Sequence, residues 1–158
     1  MLERGEIDAL FSARMPQPFI NRSPQVRRLF PNYREVEADY FRRTGIFPIM
    51  HLVVIRNDIY ERHPWVAVTM LKALLKAKEL CAGASYDTGA LRHMLPWMID
   101  DIETARDLIG EDFWPYGLEA NRKTLETFVR YAYEQGIAAR KISADQLFPP
   151  ETGDTFRT

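Results

Sequence analysis

The chain has 158 residues, of which 46% are hydrophobic, 12% aromatic and 27% charged, enough for one globular domain with a sizeable core and too few for two ordinary ones. Its 21 Lys and Arg against 22 Asp and Glu leave a formal net charge of -1, so no chain-wide field draws it to nucleic acid or to an anionic membrane. A single cysteine, Cys81, excludes an intramolecular disulfide and every CxxC metal or redox motif.

That cysteine usage suits a reducing compartment. No run approaches the roughly 18 to 20 apolar residues of a membrane span, because Thr69, Lys72, Lys76 and Glu79 interrupt the most apolar stretch. The first residues lack the basic segment, apolar core and cleavage site of a signal peptide, so the expectation is a soluble, cytoplasmic protein.

In chain order, Leu2-Glu-Arg-Gly5 reads as the last turn of a helix closed by glycine, followed at once by a strand over Ile7 to Phe11. Such a strand wants paired neighbours, and two readings stand: the middle of a larger domain, or an edge strand at a true chain start. Ser12 to Pro24 is punctuated by Pro16, Pro18 and Pro24 and reads as loop. Val26 to Phe30 allows one helical turn before Pro31. Tyr33 to Arg43 reads as a connector helix with Val36, Tyr40 and Phe41 on one face, stopped by Gly45. Ile49 to Ile55 is the strongest strand, apolar on both faces apart from His51. That is the pattern of a central strand covered by helices on both sides, and hence of an α/β sheet.

Asp58 is placed to cap a turn over Asn57 to Glu61, with Glu61 completing a capping box. From Pro64 to about Ala82 a helix is apolar nearly all round and must pack on most of its surface. Ala82 to Gly89 reads as loop, with a short helix to Leu95 after it. Pro96 suits the start of a helix with Leu95, Met98, Ile102, Ala105 and Ile109 on one stripe, ending at Gly110. After the turn Phe113-Trp-Pro-Tyr-Gly117, a last long helix runs from Leu118 to Gln135. Its buried stripe by spacing is Leu118, Asn121, Leu125, Phe128, Val129 and Ala132. Leu147-Phe148-Pro-Pro forms an apolar anchor and Glu151 to Thr158 a loose tail.

Three histidines without an HxxxH or HxH pair, and no Cys/His cluster, leave little for a zinc or iron site. Phosphate-binding glycine loops and the GxSxG nucleophile elbow are absent. What remains is polar residues where a sheet opens to a ligand. Ser12 and Arg14 follow the first strand, and a guanidinium there can fork onto a carboxylate or simply stand in solvent. His51, in an apolar strand, is either a hydrogen-bonded core histidine or a ligand-facing one. Trp97, Trp114 and Tyr116 either wall an aromatic pocket or fill core. Asn121, on the buried stripe beside Arg122, needs partners for its amide.

These residues closely resemble the C-terminal half of the 4,5-dihydroxyphthalate decarboxylase family. The resemblance rests on Gly5-Glu-Ile-Asp-Ala-Leu10 with Arg14, on Val26-Arg-Arg-Leu-Phe-Pro31, and on Thr44-Gly-Ile-Phe-Pro-Ile-Met-His51. It extends over Leu95-Pro-Trp97, Phe113-Trp-Pro-Tyr-Gly117, Asn121-Arg122 with Thr124-Leu-Glu126, and Tyr133-Glu-Gln-Gly136. It implies a two-lobed type II periplasmic-binding-protein-like fold in chains about twice this length. Residues 1–48 would then end the second lobe and cross the hinge, 49–150 would form the mostly helical C-terminal part of the first lobe, and 151–158 the tail.

The implied reaction removes one carboxylate from 4,5-dihydroxyphthalate to give protocatechuate and carbon dioxide. Each carboxyl has a hydroxyl para to it, so the phenol pushes electron density to the ipso carbon, which takes a proton before carbon dioxide leaves. The site needs a cation for the carboxylate that stays, an acceptor at the phenol and a positioned acid in a water-poor cleft. Arg14 suits the first task, His51 the second or third, and Ser12 a carboxylate oxygen. Trp114, Tyr116, Asn121 and Arg122 complete the expected substrate-binding set. No cofactor is expected, with a divalent metal and a homo-oligomer left open. Two rivals stand: a solute-binding protein of an importer for a small organic anion, and a fragment without activity of its own.

Overall fold

The computed structural model describes residues 1–90 and 92–153. Among them the regular structure is helical: α1 (Gln17–Ile20), α2 (Tyr33–Thr44), α3 (Asn57–Arg62), α4 (Trp65–Ser85), α5 (Met98–Ile109) and α6 (Leu118–Glu134), with short 3-10 turns at Leu2–Arg4, Ala144–Leu147 and Pro150–Thr152. No helix is long and apolar enough to cross a membrane among the described residues. The chain divides into two units, Met1–Tyr40 and Phe41–Thr158.

In the first unit, Leu2–Arg4 closes on Gly5, which takes a left-handed conformation and donates its N–H to the Leu2 carbonyl at 3.1 Å. The expected strand over Ile7 to Phe11 is not formed. The proline-rich stretch holds one helical turn, α1, because Pro18 sits in the first turn, where a missing N–H costs nothing. The turn expected over Val26 to Phe30 is absent; instead the Arg28 guanidinium lies over the rings of Phe19 and Tyr33, at 5.0 and 4.7 Å. The connector helix forms as α2, and Gly45, at φ 64, ends it by donating to the Phe41 carbonyl.

The second unit corrects the α/β expectation. Ile49 to Ile55 forms no strand, and Val53 and Val54 stand 63% and 87% exposed. A strand exists only against a partner, since each residue's N–H and C=O must be matched across a ladder. No other described segment supplies that ladder, so the most strand-like sequence in the chain stays irregular.

The same shortage of partners reaches α4, whose apolar surface was expected to be mostly packed. Only Ala67 is buried, while Trp65, Met70, Leu75 and Leu80 remain exposed. Helix α4 also continues through Gly83 to Ser85, and the short helix expected up to Leu95 is not seen among the described residues. At α3 the capping box does not form. Asp58 lies inside the first turn and takes Arg56 at 2.8 and 2.9 Å and Arg62 at 3.1 Å, while Arg56 occupies the cap position.

The core of this unit lies on α6. Leu118 and Leu125 pack with Ala144, which is fully buried, and Phe148 packs against them. Val129 follows on the same stripe, but Phe128, expected there, is exposed. Ser143 and Gln146 form the capping box that starts the 144–147 turn, and the Ala144 N–H donates to Glu126 at 3.3 Å. The tail begins later than expected. The Tyr60 hydroxyl donates to Glu151 at 2.8 Å, tying Pro150–Thr152 to α3, and residues 154–158 lie outside the described set.

Candidate functional site

A groove of about 660 Å³ opens in the second unit. Its lining comprises residues 47–53, Ala67, Met70, Leu71 and Leu74 of α4, and the 112–117 loop with Leu118, Asn121 and Leu125 of α6. The four α4 residues recur at three- and four-residue intervals and so share one face of that helix.

Four of the seven site residues expected from the sequence line this groove: His51, Trp114, Tyr116 and Asn121. His51 is exposed there rather than held in a core. Trp114 meets Phe47 edge to face, with ring centroids 5.7 Å apart. Asn121 is half-buried, and its amide donates to the carbonyls of Pro115 and Gly117, each at 2.9 Å. Its partners are therefore backbone groups of the adjoining loop. Trp97, the third aromatic of the expected cluster, is exposed and not part of the lining.

Ser12 and Arg14 belong to the first unit, on an exposed loop where the Ser12 hydroxyl accepts the Arg14 N–H at 3.1 Å. Arg122 stands outside the groove lining, within a carboxylate cluster. It pairs with Glu119, with Asp145 at 2.9 and 3.1 Å, and with Glu126 at 3.8 Å. Those bonds, first to Glu119 and then to Asp145, raise the guanidinium above its ordinary range. In return Arg122 holds the carboxyls of both Glu119 and Asp145 below theirs.

A carboxyl held low in the folded protein stabilises it above the unfolded value, and that contribution disappears as pH falls through the folded one. The tie between α6 and the 144–147 turn should therefore persist at neutral pH and loosen below about pH 4. The protection factors of the amides at residues 144–147, followed by NMR from pH 7 downward, should fall in acid, and Arg122→Met should already show low protection at pH 7. Equal protection in the variant at pH 7 would show that the ion pairs do not hold the turn.

The described lining contains no Lys or Arg; its charged and titratable members are Asp112, His51 and Tyr116. A cation beside it is Lys78, whose ammonium donates to Asp112 at 2.7 and 2.8 Å and to the Trp114 carbonyl at 3.0 Å. The reading of α4 as one polar stripe missed Lys78. A signal was present, because Lys78 lies four residues after Leu74 and seven after Leu71, on the groove face and away from Lys72, Lys76 and Glu79. Chemically, apolar and aromatic walls around one imidazole and one phenol suit a flat aromatic ligand that exchanges a proton with the protein. No three His, Cys, Asp or Glu side chains converge to hold a metal ion among the described residues.

No protein-family model matches the sequence. It is, however, 32% identical over 157 residues to a protein of Comamonas testosteroni named 4,5-dihydroxyphthalate decarboxylase. The alignment takes in 99% of this chain and 48% of that relative, so the chain spans about half the length of the protein it matches. The groove-lining residues and both flanking helices fall within the matched length, over which the chain is similar to that decarboxylase.

Proposed function

We propose that this chain builds the C-terminal half of a cytoplasmic, two-lobed decarboxylase that converts 4,5-dihydroxyphthalate to protocatechuate and carbon dioxide. The observation that carries this reading is the 32% identity across 99% of the chain to the Comamonas testosteroni decarboxylase. The groove supports it, since its lining includes the aromatic rings of Trp114 and Phe47 and the imidazole of His51.

In this reading the substrate ring lies against Trp114 and Tyr116. His51 handles the proton, either accepting at the para phenol or delivering to the ipso carbon. The ipso carbon gains a proton, its bond to the carboxylate carbon breaks, and the electron pair of that bond restores the aromatic ring as carbon dioxide leaves. The retained carboxylate calls for a cation, a task that Arg14, with Ser12, suits by residue type alone. Asn121 and Arg122 serve the site by fixing the 112–117 loop and the 144–147 turn.

The test joins this chain to the half of the Comamonas testosteroni enzyme that it does not match, and assays the hybrid and the 158-residue chain side by side. Protocatechuate and carbon dioxide should form in equal amounts with the hybrid, and the short chain should be inactive. A folded hybrid that binds the diacid tightly without turning it over would instead favour a solute-binding protein.

A further inference from the structure

The 112–117 loop carries three aromatic residues of the groove, Phe113, Trp114 and Tyr116, but little means of holding its own shape. Pro115 lacks an N–H, Gly117 sits at φ 96, and no backbone-to-backbone hydrogen bond forms within residues 111–117 among the described ones. Three of its carbonyls are nonetheless occupied. Trp114 accepts from Lys78 on α4 at 3.0 Å, and Pro115 and Gly117 accept from the amide of Asn121 on α6, each at 2.9 Å. Lys78 also neutralises Asp112 at the start of the loop and lies 5.2 Å from the centroid of the Tyr116 ring.

This is unlike the other lysine pair on α4. Lys76 and Glu79 are 61% and 67% exposed, in solvent that screens their attraction, whereas the Lys78 side chain is only 22% exposed and its ammonium serves several acceptors. Both amide hydrogens of Asn121 are spent on loop carbonyls.

We propose that Lys78 and Asn121 are positioning residues: from two different helices they clamp the 112–117 loop, and so hold Trp114 and Tyr116 as one wall of the groove. The clamp deepens the decarboxylase reading, on which the use of that wall for an aromatic substrate rests. In that use Lys78 sets the spacing and tilt of the rings through the Trp114 carbonyl and the Asp112 carboxylate.

The clamp is tested in the 158-residue chain carrying Trp65→Phe and Trp97→Phe, which leaves Trp114 as the single tryptophan, excited selectively at wavelengths that tyrosine does not absorb. Lys78→Met and Asn121→Ala should each raise the acrylamide quenching constant of Trp114 by about twofold and lower its anisotropy, with unchanged far-UV circular dichroism. Lys78→Arg, which can still reach Asp112, should keep the parent values. Should Lys78→Met not fold, Asn121→Ala against the parent decides. Quenching and anisotropy equal to the parent in the folded variants would overturn the clamp. A titration with 4,5-dihydroxyphthalate separates the two readings: if the hybrid parent fails to bind the diacid, the substrate reading falls, while the quenching comparison still decides the clamp.

Discussion

His51→Ala in the hybrid protein is expected to lower kcat by about 100-fold or more while KM changes far less. His51 is the histidine that the groove contains; His63 and His93 are absent from its lining. It lines the same groove as Trp114 and Tyr116, from a segment with no other titratable side chain between Phe47 and Ile55. If it moves the proton, its loss removes a transition-state interaction and leaves the aromatic walls that bind the ring in place. The reverse pattern, with KM raised and kcat kept, would make His51 a binding residue, and unchanged kinetics would remove it from the mechanism. Stopped-flow absorbance of the catechol product separates these outcomes.

The largest effect on stability is expected at Leu125. This residue is 3% exposed on α6 and packs with Leu118, Ala144 and Phe148, which join the helix to the 143–149 segment. Truncating a leucine in such a place removes its transfer free energy and leaves a cavity, so Leu125→Ala should cost about 3 kcal/mol in urea unfolding. Phe128→Ala, three residues on and 63% exposed, should cost less than about 0.5 kcal/mol by the same measurement. Because few side chains are buried in this unit, the Leu125 variant should approach complete unfolding at room temperature. A loss below about 1 kcal/mol would mean that the α6 cluster is not what holds the unit together.

The helices were legible in the sequence because their signals are local. Gly45, Gly110 and Gly136 mark ends within a residue or two of those observed, and the spacing of Leu118, Leu125 and Val129 gives the buried stripe of α6 directly. Some local readings also missed, among them the turn over Val26 to Phe30 and the capping box at Asp58, but the larger failures depend on a distant partner. Ile49 to Ile55 has strand composition, and α4 has the all-round apolarity of a covered helix. Neither property can be satisfied by the residues present, so the first is irregular and the second exposed. Phe128 fits the same explanation: it has the right spacing and nothing described to pack against it.

The site divides in the same way. His51 and the aromatic pair Trp114 and Tyr116 were readable as residue types out of place in their surroundings, and the structure gathers them around one groove. Asn121 was readable as a buried amide in need of partners, but its partners are loop carbonyls that no spacing rule predicts. Arg122 was expected in the substrate-binding set on the resemblance; of the carboxylates it pairs with, Glu119 and Glu126 lie within four residues and Asp145 far along the chain. Lys78 was hidden in a helix judged by its polar stripe alone.

Pairing of the 49–55 segment is the most direct measure of whether the groove around His51 is half of a larger site. Hydrogen exchange by mass spectrometry on peptides covering residues 49–55 compares the 158-residue chain with the hybrid. In the short chain these amides should exchange within the first time point, as expected of exposed backbone outside a ladder, and in the hybrid they should slow by about 1,000-fold or more. Equally fast exchange in a folded, active hybrid would contradict the reading of this segment as a strand completed by the other half.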